Sequence, residues 1–166
     1  MSITVKCDDG DLVLDDRHAF MPIDGEEKCA QDVGESLLNN WDPDGINWFN
    51  GSELYSLIGE TPSSLDRVSP DEQIHFIVEE AIMRLQDLQD NDAYVDSEEA
   101  IDEIRTIDVF AIGKMTYVFR LELVTLSDEL LVRQYEISLS QQLPSTQSLA
   151  EFRSFVPKSP SDNPFL

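Results

Sequence analysis

The chain has 166 residues, 34 acidic against 11 basic, and a net charge of −23 with both histidines neutral. That length fits one domain on a scale of about 100–200 residues, and 41% hydrophobic content is enough for a core, which excludes disorder of the whole chain. So deep a deficit of basic residues repels phosphate, so direct binding to nucleic acid or to an anionic membrane is disfavoured and a basic partner surface is favoured. No stretch reaches the roughly 20 apolar residues of a membrane helix, and Met1 to Asp11 lacks the charged and apolar regions of a secretory leader, so folding in a cytoplasm is the expectation. Cys7 and Cys29 make neither a disulfide framework nor a metal site and read as small buried hydrophobes.

The segments Ile3 to Cys7 and Leu12 to Leu14 flank Asp8-Asp9-Gly10-Asp11, whose Asp-Gly pair predicts a β-hairpin. From Glu26 to Trp41, Cys29, Val33, Leu37 and Trp41 recur every four residues, with Ala30 and Leu38 beside them, and predict a helix that Asp42-Pro43-Asp44-Gly45 ends. Ser52 is placed to cap a short helix over Glu53 to Ile58, closed by Gly59. Ser69-Pro70-Asp71-Glu72 has the form of a capping box with proline at the first helical position, and a helix follows with the buried stripe Ile74, Ile77, Val78, Ala81, Ile82, Leu85 and Leu88. Asp87 to Asp96 then reads as an acidic loop, and Ser97 to Ile101 as another short capped helix.

After Arg105 the period changes. Ile107 to Ile112 predicts one strand, and Tyr117, Phe119, Leu121 and Leu123 alternate with Val118, Arg120, Glu122 and Val124 in a second. Leu131, Arg133, Tyr135 and Ile137 mark a third beyond the turn Leu126 to Glu129. Residues 141–166 differ in kind, with Pro144, Pro157, Pro160 and Pro164 among Ser and Gln, and with Glu151 and Asp162 balancing Arg153 and Lys158. The whole of the −23 therefore sits on residues 1–140. Phe152, Phe155, Val156, Phe165 and Leu166 show no regular period, so this tail reads as an extended segment that docks on a partner surface. The expectation is an α+β domain over residues 1–140, with an N-terminal β-hairpin, two to four helices and a C-terminal antiparallel meander of about three strands, followed by the tail.

Paired carboxylates could hydrolyse a glycan, and Glu27, Glu35 and Glu53 are candidates, yet each also suits a solvated helix face. His18 and His75 stand in no recognisable nucleophile setting. The acidic loops from Asp42 and from Asp90 lack the glycine and oxygen ligands at the positions a calcium loop needs. No phosphate loop, dinucleotide fingerprint or Cys/His metal spacing occurs, so no cofactor, metal or catalytic residue is expected. The charge itself fits a salt-loving source, a scaffold for basic partners, or a carboxylate-covered DNA mimic.

In order, Gly10-Asp11-Leu12-Val13-Leu14, a glycine-led helix carrying Gln31, the turn Trp41 to Trp48, and Gly51-Ser52-Glu53-Leu54 running to Gly59 resemble the sheath-initiator, or baseplate wedge, family of contractile phage tails and related injection machines. The likeness extends through the capped helix and the strands, over most of residues 10–139. The family's Glu-Pro-Arg triplet is matched only by Glu103-Ile104-Arg105, without the proline, and no catalytic pair of the members once described as lysozyme-like carries over. The resemblance implies a structural protein of the virion baseplate, with the sheath subunit, wedge proteins, and tube or hub proteins as partners. It implies that the strands Tyr117 to Thr125 and Leu131 to Leu139 offer backbone to sheath strands, with Glu103 and Arg105 facing the wedge. A small carboxylate-dependent cell-wall glycan hydrolase is the alternative.

Overall fold

The computed structural model describes residues 4–8, 11–41, 50–59 and 68–140. The described chain is α+β. Strand β1 (Thr4–Val5) pairs antiparallel with β4 (Pro22–Ile23), and β2 (Cys7–Asp8) with β3 (Asp11–Leu12). The expected hairpin is therefore present, with its Asp9-Gly10 turn outside the described residues, and it is extended by a Leu14–Phe20 bridge. Gln31 ties this unit to helix α1 (Gly25–Leu38), its amide donating to Val5 O at 3.1 Å and its carbonyl accepting from Cys7 N–H at 2.8 Å.

Helix α1 stops at Leu38, three residues before the expected end at Trp41. Its last turn is taken over by the segment that returns from Gly51. Ser52 Oγ donates to Leu37 O at 2.6 Å, Ser52 N–H donates to Asn39 O at 2.8 Å, and Trp41 N–H donates to Ser52 O at 2.9 Å. Gly51 lies so close to this neck that a Cβ would meet Asn39 O at 2.8 Å, and its φ of +120° suits glycine alone. Arg84 completes the clasp, stacking 4.4 Å over the Trp41 ring and donating to Gly51 O from Nε and Nη2. The predicted Asp-Pro-Asp-Gly stop and the turn to Trp48 lie outside the described residues. Beyond Ser52 a 3-10 turn covers Leu54–Leu57, with Gly59 (φ +89°) past its end as expected.

Helix α2 (Pro70–Asn91) opens on the expected Ser69–Glu72 capping box. Its buried stripe is the predicted one up to Leu85, after which Gln89 is buried in place of Leu88. The helix also consumes the first part of the expected acidic loop. The short helix expected over Ser97 to Ile101 is a turn closed by Glu99 N–H and Ala100 N–H on Asp96 O. Ile101 N–H is then captured by the Gln89 side chain at 3.0 Å, which diverts the chain into a strand.

That strand, β5 (Ile101–Ala111), begins six residues before the expected start at Ile107. Two bulges, between Ile101 and Glu103 and between Ile104 and Thr106, break its alternation and hide its first half from a period-two reading. It pairs with β6 (Thr116–Thr125), which pairs with β7 (Leu130–Ser138), giving the order β5-β6-β7. Tyr117, Phe119, Leu121, Leu123, Leu131, Tyr135 and Ile137 share one buried face and join the stripes of α1 and α2 in a single core.

Behind this core Lys28 is buried between Asp32, at 2.7 Å, and Glu99, at 3.4 Å. Glu99 is fully buried and neither of its oxygens has a hydrogen-bond partner among the described residues, so the lysine charge is what compensates it. Lys28→Met is expected to lower unfolding free energy by about 3 kcal/mol or more, because it strands a buried carboxylate. Glu99→Gln should cost less, since Lys28 keeps Asp32. Urea denaturation of the two variants checks this ranking, and equal losses would contradict it.

Candidate functional site

The sheet has two outer edges, and they differ. Ile112 N–H donates to Thr116 O, so by the strict alternation of an antiparallel ladder Ile107 and Val109 of β5 turn their backbone outward. Helix α2 caps part of that edge, at Ile107 and at Ile101–Asp102, while the outward backbone of Val109 meets no hydrogen-bond partner among the described residues. His75 Nδ1–H donates to Ile107 O at 3.0 Å, and Gln86 Nε2 donates to Ile101 O at 3.3 Å and Asp102 O at 3.2 Å. Gln89 takes Ile101 N–H and donates to Glu99 O at 2.9 Å.

Strand β7 is different. The bonds Thr125 N–H to Glu129 O and Leu139 N–H to Met115 O fix the phase of an unbroken β6–β7 register at both ends. The odd-numbered residues of β7 therefore bond β6, and Val132, Gln134 and Glu136 turn their N–H and C=O outward. Among the described residues the one contact to these groups is a side chain from the same strand, Arg133 Nη1 donating to Val132 O at 2.8 Å.

The residues named from sequence that are described fall on three strands. Tyr117, Phe119 and Leu121 lie on β6, the middle strand, so the expectation that this strand offers an edge is corrected: both sides of its backbone are already paired. Leu131, Tyr135 and Ile137 lie on the open strand, but their side chains are core, Tyr135 stacking on Phe119 at 5.3 Å. Arg133, half-buried, reaches Glu26 of α1 at 4.0 Å. Glu103 and Arg105 are exposed on the bulged half of β5, across the sheet from β7. Phe152 and Phe155 lie outside the described residues. Of the carboxylates weighed for hydrolysis, Glu27 pairs with Lys6, Glu35 accepts from Gln31 at 3.1 Å, and Glu53 lines a surface groove. Sequence reasoning missed His75, Gln86 and Gln89; the one available signal was a glutamine occupying the position after Leu88 where the apolar stripe should continue.

Among the described residues no cluster of three or more His, Cys, Asp or Glu is placed to hold a metal ion, and no helix is long and apolar enough to cross a membrane. No family model, curated protein or solved structure matches the chain.

The groups behind β7 are electrostatically uniform in direction. Burial pushes the Tyr135 phenol up to about 12 and, with the Asp32 charge, the Cys29 thiol up to about 12. Burial works against the Lys28 charge, but the hydrogen bond and charge of Asp32, with Glu99, hold its pKa above the ordinary lysine value. Burial likewise raises Asp32, against the pull of Lys28. The unfolded chain releases the Cys29 proton near 9.0 and the Tyr135 proton near 10.0, while the native state keeps both, so stability falls as pH climbs from 9 toward 12. Lys28 adds in the same sense above 10.5. The urea midpoint is expected to drop between pH 8 and pH 11, and Tyr135→Phe should remove about 1 kcal/mol of the loss between pH 10 and pH 11. A flat pH profile would contradict the assignment.

Proposed function

We propose that this protein is a non-enzymatic structural initiator in the baseplate of a contractile tail or related injection machine, where β7 receives a strand from the first ring of sheath subunits. The observation that carries this is the outward backbone of Val132, Gln134 and Glu136, which meets no other backbone among the described residues along the length of β7, while the opposite edge is capped in part by α2 at Ile107 and Ile101–Asp102. A strand laid along β7 satisfies those donors and acceptors with little dependence on its side chains, which suits a template that must accept identical subunits. Leu131, Tyr135 and Ile137 anchor the strand from its buried side.

An open edge invites pairing between copies of the chain itself. A net charge of −23 opposes that pairing by mutual repulsion and favours a partner that brings positive charge. The family resemblance of residues 10–139 supplies the identity of the partners: the sheath subunit at β7, and wedge and tube or hub proteins elsewhere. Glu103 and Arg105, exposed on the far side of the sheet, are left to face the wedge without competing for β7.

The test is co-expression with a sheath subunit from the same genome, followed by electron microscopy. Gln134→Pro deletes an outward donor and leaves the β6 ladder whole, as proline is tolerated on an edge strand whose N–H faces away from the sheet. It should keep a wild-type circular dichroism spectrum and abolish sheath nucleation. Leu131→Pro and Tyr135→Pro remove donors to β6 and should lose the sheet itself. Wild-type nucleation by Gln134→Pro, or a native protein that neither binds nor nucleates sheath, would overturn the proposal.

A further inference from the structure

Between the 3-10 turn and the first two turns of α2 lies a groove of about 580 Å³. Its described lining is apolar at Leu57, Val68, Phe76 and Ile77 and acidic at Glu53 and Glu72. Phe76 is 58% exposed and Val68 42%, so the described chain leaves this surface uncovered. Large apolar side chains gathered around a concave surface call for an occupant more strongly than the same residues scattered singly.

The chain's own C-terminal segment starts beside this groove. Gly59 N–H donates to Leu139 O at 2.9 Å, and Gly59 is two residues past Leu57 in the groove wall. Strand β7 thus delivers Ser140 to the groove's margin, and Phe152 follows twelve residues later, a stretch that spans up to about 40 Å when extended. The tail also has the matching chemistry. Phe152, Phe155 and Val156 surround Arg153, and residues 141–166 carry no net charge, so a body that holds the entire −23 does not repel them. A second copy of the chain would bring a further −23 to a surface already acidic at Glu53 and Glu72.

We infer that Phe152 to Val156 folds back in cis onto the groove between the 3-10 turn and α2, covering Phe76 and Val68 and setting Arg153 against Glu53 and Glu72. This surface is separate from the open edge of β7, so occupancy of the groove stands or falls independently of strand addition.

The experiment places the photo-crosslinking residue benzoylphenylalanine at Phe155 in the full-length protein and maps the adducts by mass spectrometry. The expected product is an intrachain adduct, migrating as monomer, to the peptide containing Val68 to Ile77, lost in Phe76→Asp and reduced severalfold in Arg153→Glu. Phe76 is exposed, so its variant should keep the wild-type circular dichroism spectrum, and Val68→Asp serves the same purpose if it does not. An adduct that forms only between chains assigns the groove to a second copy and overturns the inference. Adducts only to other parts of the chain, or none, overturn it as well.

Discussion

Helix α2 engages strand β5 twice, and the rest of the architecture follows from that double contact. Its apolar stripe from Ile74 to Leu85 closes the core over the sheet, while His75, Gln86 and Gln89 meet the outward backbone of the same strand. A three-stranded sheet with one bare face has little stability of its own, so it needs a helix against its apolar side. Having that helix lean over one edge as well makes the sheet asymmetric. One rim is partly capped by side chains of the protein itself, and the other keeps its backbone groups exposed among the described residues. Sliding α2 by one residue would misplace the stripe and the amides together, which couples the integrity of the core to the closure of β5.

Basic residues are few, and half of the described ones stand at junctions between elements. Lys6 joins the N-terminal hairpin to α1, Lys28 joins α1 to the turn before β5, and Arg133 joins β7 to α1. Arg84 closes the neck between Asn39 and Ser52. Exposed pairs such as Lys6–Glu27 contribute less than about 1 kcal/mol, so it is the buried Lys28 on which the tertiary arrangement leans. With 34 acidic side chains to distribute, a cation at these junctions also keeps the adjoining elements from repelling one another.

Most of the fold was legible because its signals are local. The hairpin, the Ser69–Glu72 start of α2, the stripe from Ile74 to Leu85 and the alternation through Tyr117 to Leu123 depend on turn chemistry, capping and burial periodicity, and each stands where those principles place it. What escaped was set by contacts distant in sequence. The end of α1 is decided by Ser52, the fate of Ser97 to Ile101 by Gln89, and the length of β5 by bulges that erase its alternation. The candidate site was half legible: the strands β6 and β7 were predicted as strands, but strand order is a tertiary property, and it turns β6 from an edge into the centre. Polar side chains that cover an edge leave no period to read.

The neck at Asn39 to Trp41 and Gly51 to Ser52 has a consequence for how this chain tolerates change. Two backbone bonds, the Ser52 hydroxyl bond to Leu37 O, the Arg84 stack and the close approach of Gly51 fix both ends of the intervening sequence to the body of the protein. Lengthening a segment whose ends are already held together adds only a slowly growing closure entropy, about 0.6 kcal/mol for each doubling. The stretch between Trp41 and Asn50 is therefore a natural place for insertions to accumulate, or for a foreign peptide to be grafted, with the spacing of α1, α2 and the sheet left undisturbed.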